Sequence, residues 1–388
     1  MYSNTWPVNL RGMEMQDRMI IIFSGYNERA VISFIRTLVK NNIRFAIIAR
    51  DENDQIFKTI YKKNVVLTRE SKLLDIDLLK SHIKHIKLEF KVNSILIAPS
   101  SEALNRFLLK ERTILEELNV IIPLVDSKVY ASVSDKKIFG DICHRNGIET
   151  PDEFDSIDTA KYPFVAKPIK YFAKDGSIHT PHLIFNNEQK LIFIRQCNSS
   201  DFYYQKYVIG KSIYLLYYFH RNGKVFKYSQ ENIIQQFNGG SMLAAVSSTF
   251  HNSNESNKYE NLFKSLHFNG LIMVELKVSD TNSYMIEANP RFWGPSQLFI
   301  DAGLNFFEAF LHDYGFLTNE PTFQSSGKVK YFWYGGTAQC TDNSSHKLKF
   351  HCDNKEELLL NLGEWIKSDV YKRRDTINIF KEEVKWIQ

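Results

Sequence analysis

A chain of 388 residues with 44% hydrophobic and 14% aromatic content can bury a sizeable core, which excludes a disordered class and suits two or three domains. Its 49 basic against 44 acidic residues leave a formal charge of +5, too small and dispersed to argue for nucleic acid but compatible with small anionic molecules. Cys143, Cys197, Cys340 and Cys352 stand far apart with no CxxC pair, so a reducing cytoplasm is expected rather than a disulfide framework. No apolar run approaches the ~20 residues needed to span a bilayer, so no membrane partner is expected. Residues 1–18 carry Arg11, Glu14, Asp17 and Arg18 without the apolar stretch of a secretion signal, and read as an N-terminal extension.

Residues 19–23 predict a short buried strand, followed by a turn at Ser24-Gly25-Tyr26-Asn27. Over 28–40 the apolar residues fall at Val31, Phe34, Ile35, Leu38 and Val39, the spacing of one helix face. Further strands are expected at 43–48, 65–67, 92–98 and 120–122, with a helix over 101–118. This alternation predicts a parallel sheet covered on both faces across 19–125. The turn after the first strand is not a GxGxxG fingerprint, so a nicotinamide dinucleotide is not indicated.

The pattern changes at 126, and a second unit is expected over 126–204 and a third over 205–320. Ser134-Asp135 precedes a helix from Lys136 to about 146, closed by Gly147 where a left-handed cap belongs. A strand at 164–168 ends on Pro168, 191–196 looks helical, and strands at 202–208 and 212–219 are separated by Gly210. A helix over 256–266, a hairpin of 271–278 with 284–288, and one long apolar helix over 298–314 complete this part. The remainder, 321–388, holds a strand-like stretch at 329–334 and then two amphipathic helices, the first opened by Asp353 or Asn354. That tail would cap the protein or form a homodimer contact, and its pattern does not choose. Cys340, His346, His351 and Cys352 match no usual zinc spacing.

The hairpin is the most informative stretch. Side chains alternate along a strand, so Glu287, Asn289 and Arg291 share a face. Oxygen ligands beside a guanidinium suit a metal-bound phosphate, since Mg²⁺ is held by carboxylates and phosphate oxygens and arginine pairs with phosphate. Glu275 joins that face only if the loop at 279–283 has an odd length of three or five residues; an even loop without a bulge turns it away. A surface hairpin with a charged face is the plainer reading. Against it, Pro290 and then Phe292-Trp293-Gly294 break the alternation abruptly.

The string Glu275…Glu287-Ala288-Asn289-Pro290-Arg291-Phe292-Trp293-Gly294 resembles the metal-binding signature of the ATP-grasp superfamily, most closely its carbamoyl-phosphate-synthase-like carboxylate–amine ligase branch. The resemblance implies an α/β fold in which a Rossmann-like parallel-sheet domain precedes two α+β subdomains clasping ATP. It implies paired Mg²⁺ ions, replaceable by Mn²⁺, on Glu275, Glu287 and Asn289, with Arg291 as a catalytic residue on the transferred phosphate. Lys136 resembles the family's first phosphate-binding lysine and Lys167, within 165–168, the second. Gln205-Lys206-Tyr207-Val208 resembles the hinge that pairs with the adenine edge, and Ser177 falls in the loop that closes over the phosphates.

The sequence also departs from the family pattern. The closing loop, 170–177, offers only Gly176 where the family is glycine-rich, leaving Lys170 and Lys174 to substitute by charge. The hinge opens on Gln205 rather than glutamate, and Lys211-Ser212 stands where an acidic residue often meets the ribose. Asn238-Gly239-Gly240-Ser241 resembles a loop near the acceptor site, with Gln230, Asn232 and Trp293 as candidates to line it. The implied reaction is activation of a carboxylate, such as an amino acid or a nucleotide-linked uronic acid, as an acyl phosphate that an amine then captures. Two other classes stay open: a carboxylase using bicarbonate, although the chain has no biotinylation motif, and a non-catalytic nucleotide-binding module.

Overall fold

The computed structural model describes residues 17–69, 73–170, 179–237, 240–279, 281–324, 327–342, 348–352 and 355–385. The apolar runs of the first third become β1 (Arg18–Phe23), β2 (Phe45–Ala49), β3 (Val65–Thr68), β4 (Ser94–Ile97) and β5 (Val120–Ile121). They pair in parallel in the order β3-β2-β1-β4-β5. β1, β2 and β4 are buried along their whole length, as continuous apolar strands must be when helices cover both faces. Those helices are α1 (Glu28–Lys40), α2 (Ile76–Phe90), α3 (Glu102–Lys110) and α4 (Arg112–Glu117). The helix expected over 101–118 is therefore two, parted at Glu111.

Next come α5 (Ser127–Ser134) and α6 (Lys136–Arg145). The Asp135 side chain caps α6 by accepting from the Ile138 N–H at 2.9 Å, and Gly147 follows it with φ 68°. A small antiparallel sheet takes β6 (Glu153–Phe154), β7 (Phe164–Pro168), β8 (His182–Ile184) and β9 (Phe202–Lys206) in the order β6-β9-β7-β8. With α7 (Asn187–Gln196) it encloses its own core of Ile157, Phe164, Ala166, Ile184, Phe193, Phe202 and Tyr204.

The third sheet is antiparallel and larger. Its strands are β10 (Lys211–Phe219), β11 (Val225–Gln236), β12 (Met242–Ser248), β13 (Gly270–Val278), β14 (Ser283–Asn289), β15 (Lys330–Phe332) and β16 (Leu348–Phe350). They run β14-β13-β10-β11-β12-β15, with β16 alongside the far end of β11. Alternation along β10 splits the core into layers. Tyr214, Leu216 and Tyr218 face the same cluster as Phe34 of α1 and the phenylalanines of α9 (Ser296–Asp301) and α10 (Phe306–Asp313). Ile213, Leu215, Tyr217 and Phe219 face Tyr259, Leu262 and Phe263 of α8 (Asn254–Ser265) and Phe139 of α6. Both layers continue into β1, through Ile20 and Ile22 on one side and Met19, Ile21 and Phe23 on the other, so the parallel and antiparallel sheets share their cores.

The apolar run over 298–314 is also two helices rather than one. Gly303, with φ 78°, follows α9, and the Asn305 side chain accepts from the Phe307 N–H at 3.1 Å to open α10. The tail holds α11 (Tyr334–Asp342), α12 (Lys355–Leu360), α13 (Leu362–Lys367) and α14 (Ile377–Val384), four helices among the described residues where two were expected. Its strands β15 and β16 belong to the large sheet, so the tail is woven into the fold. The expected helix opener at 353–354 lies outside the described residues.

Gly210, between β9 and β10, has a specific reason to be glycine. A Cβ built there would lie 2.5 Å from the Val278 carbonyl oxygen, a backbone atom that cannot swing aside. Gly210→Ala should cost about 1–3 kcal/mol, read as a lower urea midpoint at unchanged slope. An unshifted midpoint would mean that the two strand ends are not in close approach.

Candidate active site

The β13–β14 hairpin decides whether the carboxylates meet. Its last pair is Val278 with Ser283, so four residues, 279–282, lie between the strands, and the odd loop expected from sequence is not there. An even loop alone would turn Glu275 away. The parity is restored by a β-bulge: Leu276 pairs with Met285 but Glu275 pairs with Glu287, leaving Ile286 as the extra residue. Glu275 and Glu287 are therefore directly opposed on one face, with Asn289 two residues further along it. The bulge also turns the Ile286 carbonyl toward Lys167, whose Nζ donates to it at 2.9 Å.

Around this pair the charges are tightly arranged. The Lys136 ammonium, at the start of α6, forms an ion pair with Glu287 Oε2. Asn289 Nδ2 donates to Glu287 Oε1 at 2.8 Å, and Arg291 Nη2 to Asn289 Oδ1 at 3.4 Å. Burial alone would raise the Glu287 pKa, but Lys136, the Asn289 amide and Lys167 outweigh it and hold the carboxylate well below its usual range. Glu275 moves the other way: burial, with Glu287 opposite, raises it despite Lys277. Its Oε1 accepts from Ser212 Oγ at 3.3 Å, which accepts from Asn232 Nδ2 at 3.1 Å, whose Oδ1 accepts from Gln230 Nε2 at 2.7 Å. Gln230 and Asn232, expected to line an acceptor pocket, instead form a buried relay that orients Glu275.

Lys167 is only 6% exposed, and its pKa is pushed down to about 8 by burial, aided by Lys136 and opposed by Glu287 and Glu275. In an unfolded chain a lysine titrates near about 10.4. Between those values the unfolded chain binds a proton that the folded chain lacks, so stability rises with pH from about 8 to about 10.4 and the penalty is complete below about 8. Lys167→Met should remove that rise, on the order of 3 kcal/mol. Urea titrations of both proteins at about pH 7.5 and about pH 10 test it, and equal pH slopes would rule Lys167 out as the source.

A cleft of about 770 Å³ opens over this face. Ten of the sequence candidates line it: Lys136, Lys167, Gln205, Lys206, Tyr207, Val208, Glu275, Glu287, Asn289 and Arg291. Ser177, Lys174 and Gly176 lie outside the described residues, as do Asn238 and Gly239, whereas Lys170, Gly240 and Ser241 reach the cleft. Trp293 lines it too; it is 2% exposed and its Nε1 has no hydrogen-bond partner among the described residues. Gln205 pairs with Glu153 across the β6–β9 ladder and donates to it at 3.4 Å, while its Oε1, buried, is likewise without a partner.

Sequence reasoning missed several cleft residues. Lys277, on the same face of β13 as Glu275, is 6% exposed and donates from Nζ to His351 Nδ1 at 3.1 Å. Strand alternation from Glu275 could have found it. Lys349 arrives on β16, which nothing local announces. Asn27, Glu28, Arg29 and Arg106 line the end of the cleft beside the parallel sheet. Burial first, then Asp54, push the Glu28 carboxyl well above its ordinary range.

Opposed carboxylates with an asparagine oxygen beside them are a hard-oxygen donor set of the kind Mg²⁺ takes, and a cation already stands against Glu287 in the form of Lys136. The residues therefore fit a Mg²⁺-bound phosphate. Among the described residues no cluster of three or more His, Cys, Asp or Glu forms another metal site. His351 is taken up by Lys277 and Gln235, while His346 lies outside the described residues. No helix among the described residues is long and apolar enough to cross a membrane.

No protein-family model and no curated sequence matches the chain. Solved structures do, and they have the ATP-grasp fold, which is the fold of this chain. Biotin carboxylase from Campylobacter jejuni, solved with a β,γ-ATP ligand, aligns at TM-score 0.60 and 14% identity over 81% of this chain and 75% of its own. N5-carboxyaminoimidazole synthetase from Staphylococcus aureus aligns at TM-score 0.60 and 15% identity over 86% of each chain. The biotin carboxylase domain of Hydrogenobacter thermophilus 2-oxoglutarate carboxylase, solved with MgADP, ADP and bicarbonate, aligns at 0.59 and 16%, over 81% of this chain and 73% of its own.

Proposed function

We propose that this protein is a Mg²⁺-dependent ATP ligase that activates a carboxylate as an acyl phosphate and joins it to an amine. The observation that carries the reading is the bulge that sets Glu275 opposite Glu287 in a cleft also lined by Lys136, Lys167, Arg291 and residues 205–208. Mg²⁺ held by Glu275, Glu287 and Asn289 would screen the charge of the terminal phosphates. The chain's own groups do the rest. Lys136 and Lys167 would pair with phosphate oxygens as charge redistributes in phosphoryl transfer, and Arg291 would hold the transferred group in line with the incoming carboxylate. The relay through Gln230, Asn232 and Ser212 keeps Glu275 aimed. The hinge, where Gln205 Oε1 has no partner among the described residues, would receive the adenine edge. An acyl phosphate hydrolyses easily, so the reaction would require water to be kept from the site once it forms.

The biotin carboxylase neighbours favour a second reading, in which bicarbonate is the carboxylate that is activated. One assay separates the readings: ADP release from ATP with bicarbonate, amino acids or nucleotide-linked uronic acids, each with and without ammonia or an amino acid. Stimulation requiring both an organic carboxylate and an amine supports the ligase. Stimulation by bicarbonate alone supports a carboxylase. No stimulation by any pair over the ATP blank contradicts both.

A further inference from the structure

The cleft holds a second cationic group apart from Lys136, Lys167 and Arg291. Lys277 lies two residues beyond Glu275 on the same face of β13, almost wholly buried. Lys349 comes from the tail: β16 pairs with β11, matching Lys349 to Gln235 and Phe350 to Ile234. Its Nζ stands 4.9 Å from the centroid of the Tyr207 ring in the hinge segment. Both lysines line the cleft, and His351, two residues after Lys349, meets Lys277 Nζ at 3.1 Å. Among the described residues Lys349 has no carboxylate partner.

His351 holds the arrangement. Its backbone N–H donates to Ile233 O at 2.9 Å and its Nε2 meets Gln235 Oε1 at 3.0 Å, which requires the proton on Nε2 and leaves Nδ1 to accept from Lys277. One ammonium proton is thereby used and the ammonium is fixed in direction. Lys277 is buried and Lys349 half-buried; neighbouring cations repel each other, and an anion between them relieves that cost.

Along the cleft the order is hinge, Lys349, Lys277, Glu275, then Glu287 with Lys136. A nucleotide with its base at the hinge and its terminal phosphates at the carboxylate pair must lay its ribose and first phosphate across the middle. We propose that Lys277 and Lys349 form an anion subsite for the α-phosphate of the bound nucleotide, so that the tail strand β16 completes the nucleotide cleft. This rests on the ligase reading for the direction in which the nucleotide lies. His351 is a positioning residue within it.

The test is calorimetric binding of adenosine and of AMP, without Mg²⁺, to the full chain and to Lys349→Gln and Lys277→Met. Wild type should bind AMP more tightly than adenosine. Each variant should lose about tenfold in AMP affinity, the loss of one charge-assisted hydrogen bond, with adenosine affinity unchanged. Lys277→Met keeps most of the side chain's volume but leaves His351 Nδ1 without its donor, so Lys349→Gln, on a half-buried strand, is the variant whose folding is not in question. Equal AMP affinities in variants and wild type overturn the proposal, as does a parallel loss for adenosine, which would mark structural damage. Wild type that binds AMP no better than adenosine overturns the subsite alone. Wild type that binds neither these nor MgATP overturns the ligase reading as well.

Discussion

Glu287→Gln should lower Mg²⁺-dependent ADP formation by about 10²–10³-fold, the usual effect of removing one preorganised charge from a phosphoryl-transfer site. The substitution keeps the shape and the bond from Asn289 Nδ2, which sits at 2.8 Å from Glu287 Oε1. It removes the charge that Lys136 and Lys167 together hold ionised, and with it half of the opposed carboxylate pair. The Lys136 ammonium loses its anchor at the same time, so the loss should appear in kcat as well as in the Mg²⁺ concentration needed for half-maximal rate. A steady-state assay at several Mg²⁺ concentrations reads both. A fall of less than about threefold, far below the range for such charges, would mean that Glu287 serves structure only.

The second large effect is on stability. Phe292→Ala should cost about 3–5 kcal/mol. Phe292 is fully buried, its ring 4.8 Å from that of Phe307, 5.0 Å from Phe34 and 6.3 Å from Phe310, a cluster joining α1 to α10. Removing the ring leaves a cavity that helices from both ends of the chain would have to fill. Phe292→Leu should cost less than about 1.5 kcal/mol because most of the volume remains. The site is affected as well, since the Phe292 carbonyl accepts from both Asn27 Nδ2 and Arg291 Nη1 at 2.9 Å and so ties the arginine to the turn after β1. Urea unfolding of the variants gives the comparison. Equal midpoints for alanine and leucine would contradict the packing account.

What could be read in the sequence follows from which forces are local. α1 was legible to the residue because its apolar positions repeat at helical spacing and its ends are marked. Glu287 and Asn289 were legible as one face because strand alternation fixes which side chains share it, and the string on to Gly294 was legible by its resemblance alone. The hairpin loop was misjudged, although the consequence drawn from it stands. A bulge at Ile286 supplies the extra residue that the loop was expected to supply, and nothing in the loop's composition distinguishes the two solutions.

β11 escaped for a different reason. Gln230, Asn232 and Gln235 are buried yet polar, because they serve Glu275 and the tail, and buried Ser229 bonds Ser248 and His251, so the strand lacks the apolar alternation that marks an ordinary one. The single helix expected over 298–314 missed a break that Gly303 and Asn305 both signal, since apolar residues on either side disguise it. Lys349 and His351 could not be found at all. Lys349's place in the cleft and His351's place beside Lys277 depend on β16 pairing with β11 more than a hundred residues earlier, and that partner choice is not encoded nearby.

The most direct test of the central claim is calorimetric binding of ATP to the full chain, with and without Mg²⁺, in wild type and in Glu287→Ala. The account predicts ATP binding that Mg²⁺ tightens in wild type and a Mg²⁺ effect that is lost in the variant. Absence of ATP binding to wild type at every Mg²⁺ concentration would contradict it, leaving the fold without the chemistry its cleft is proposed to perform.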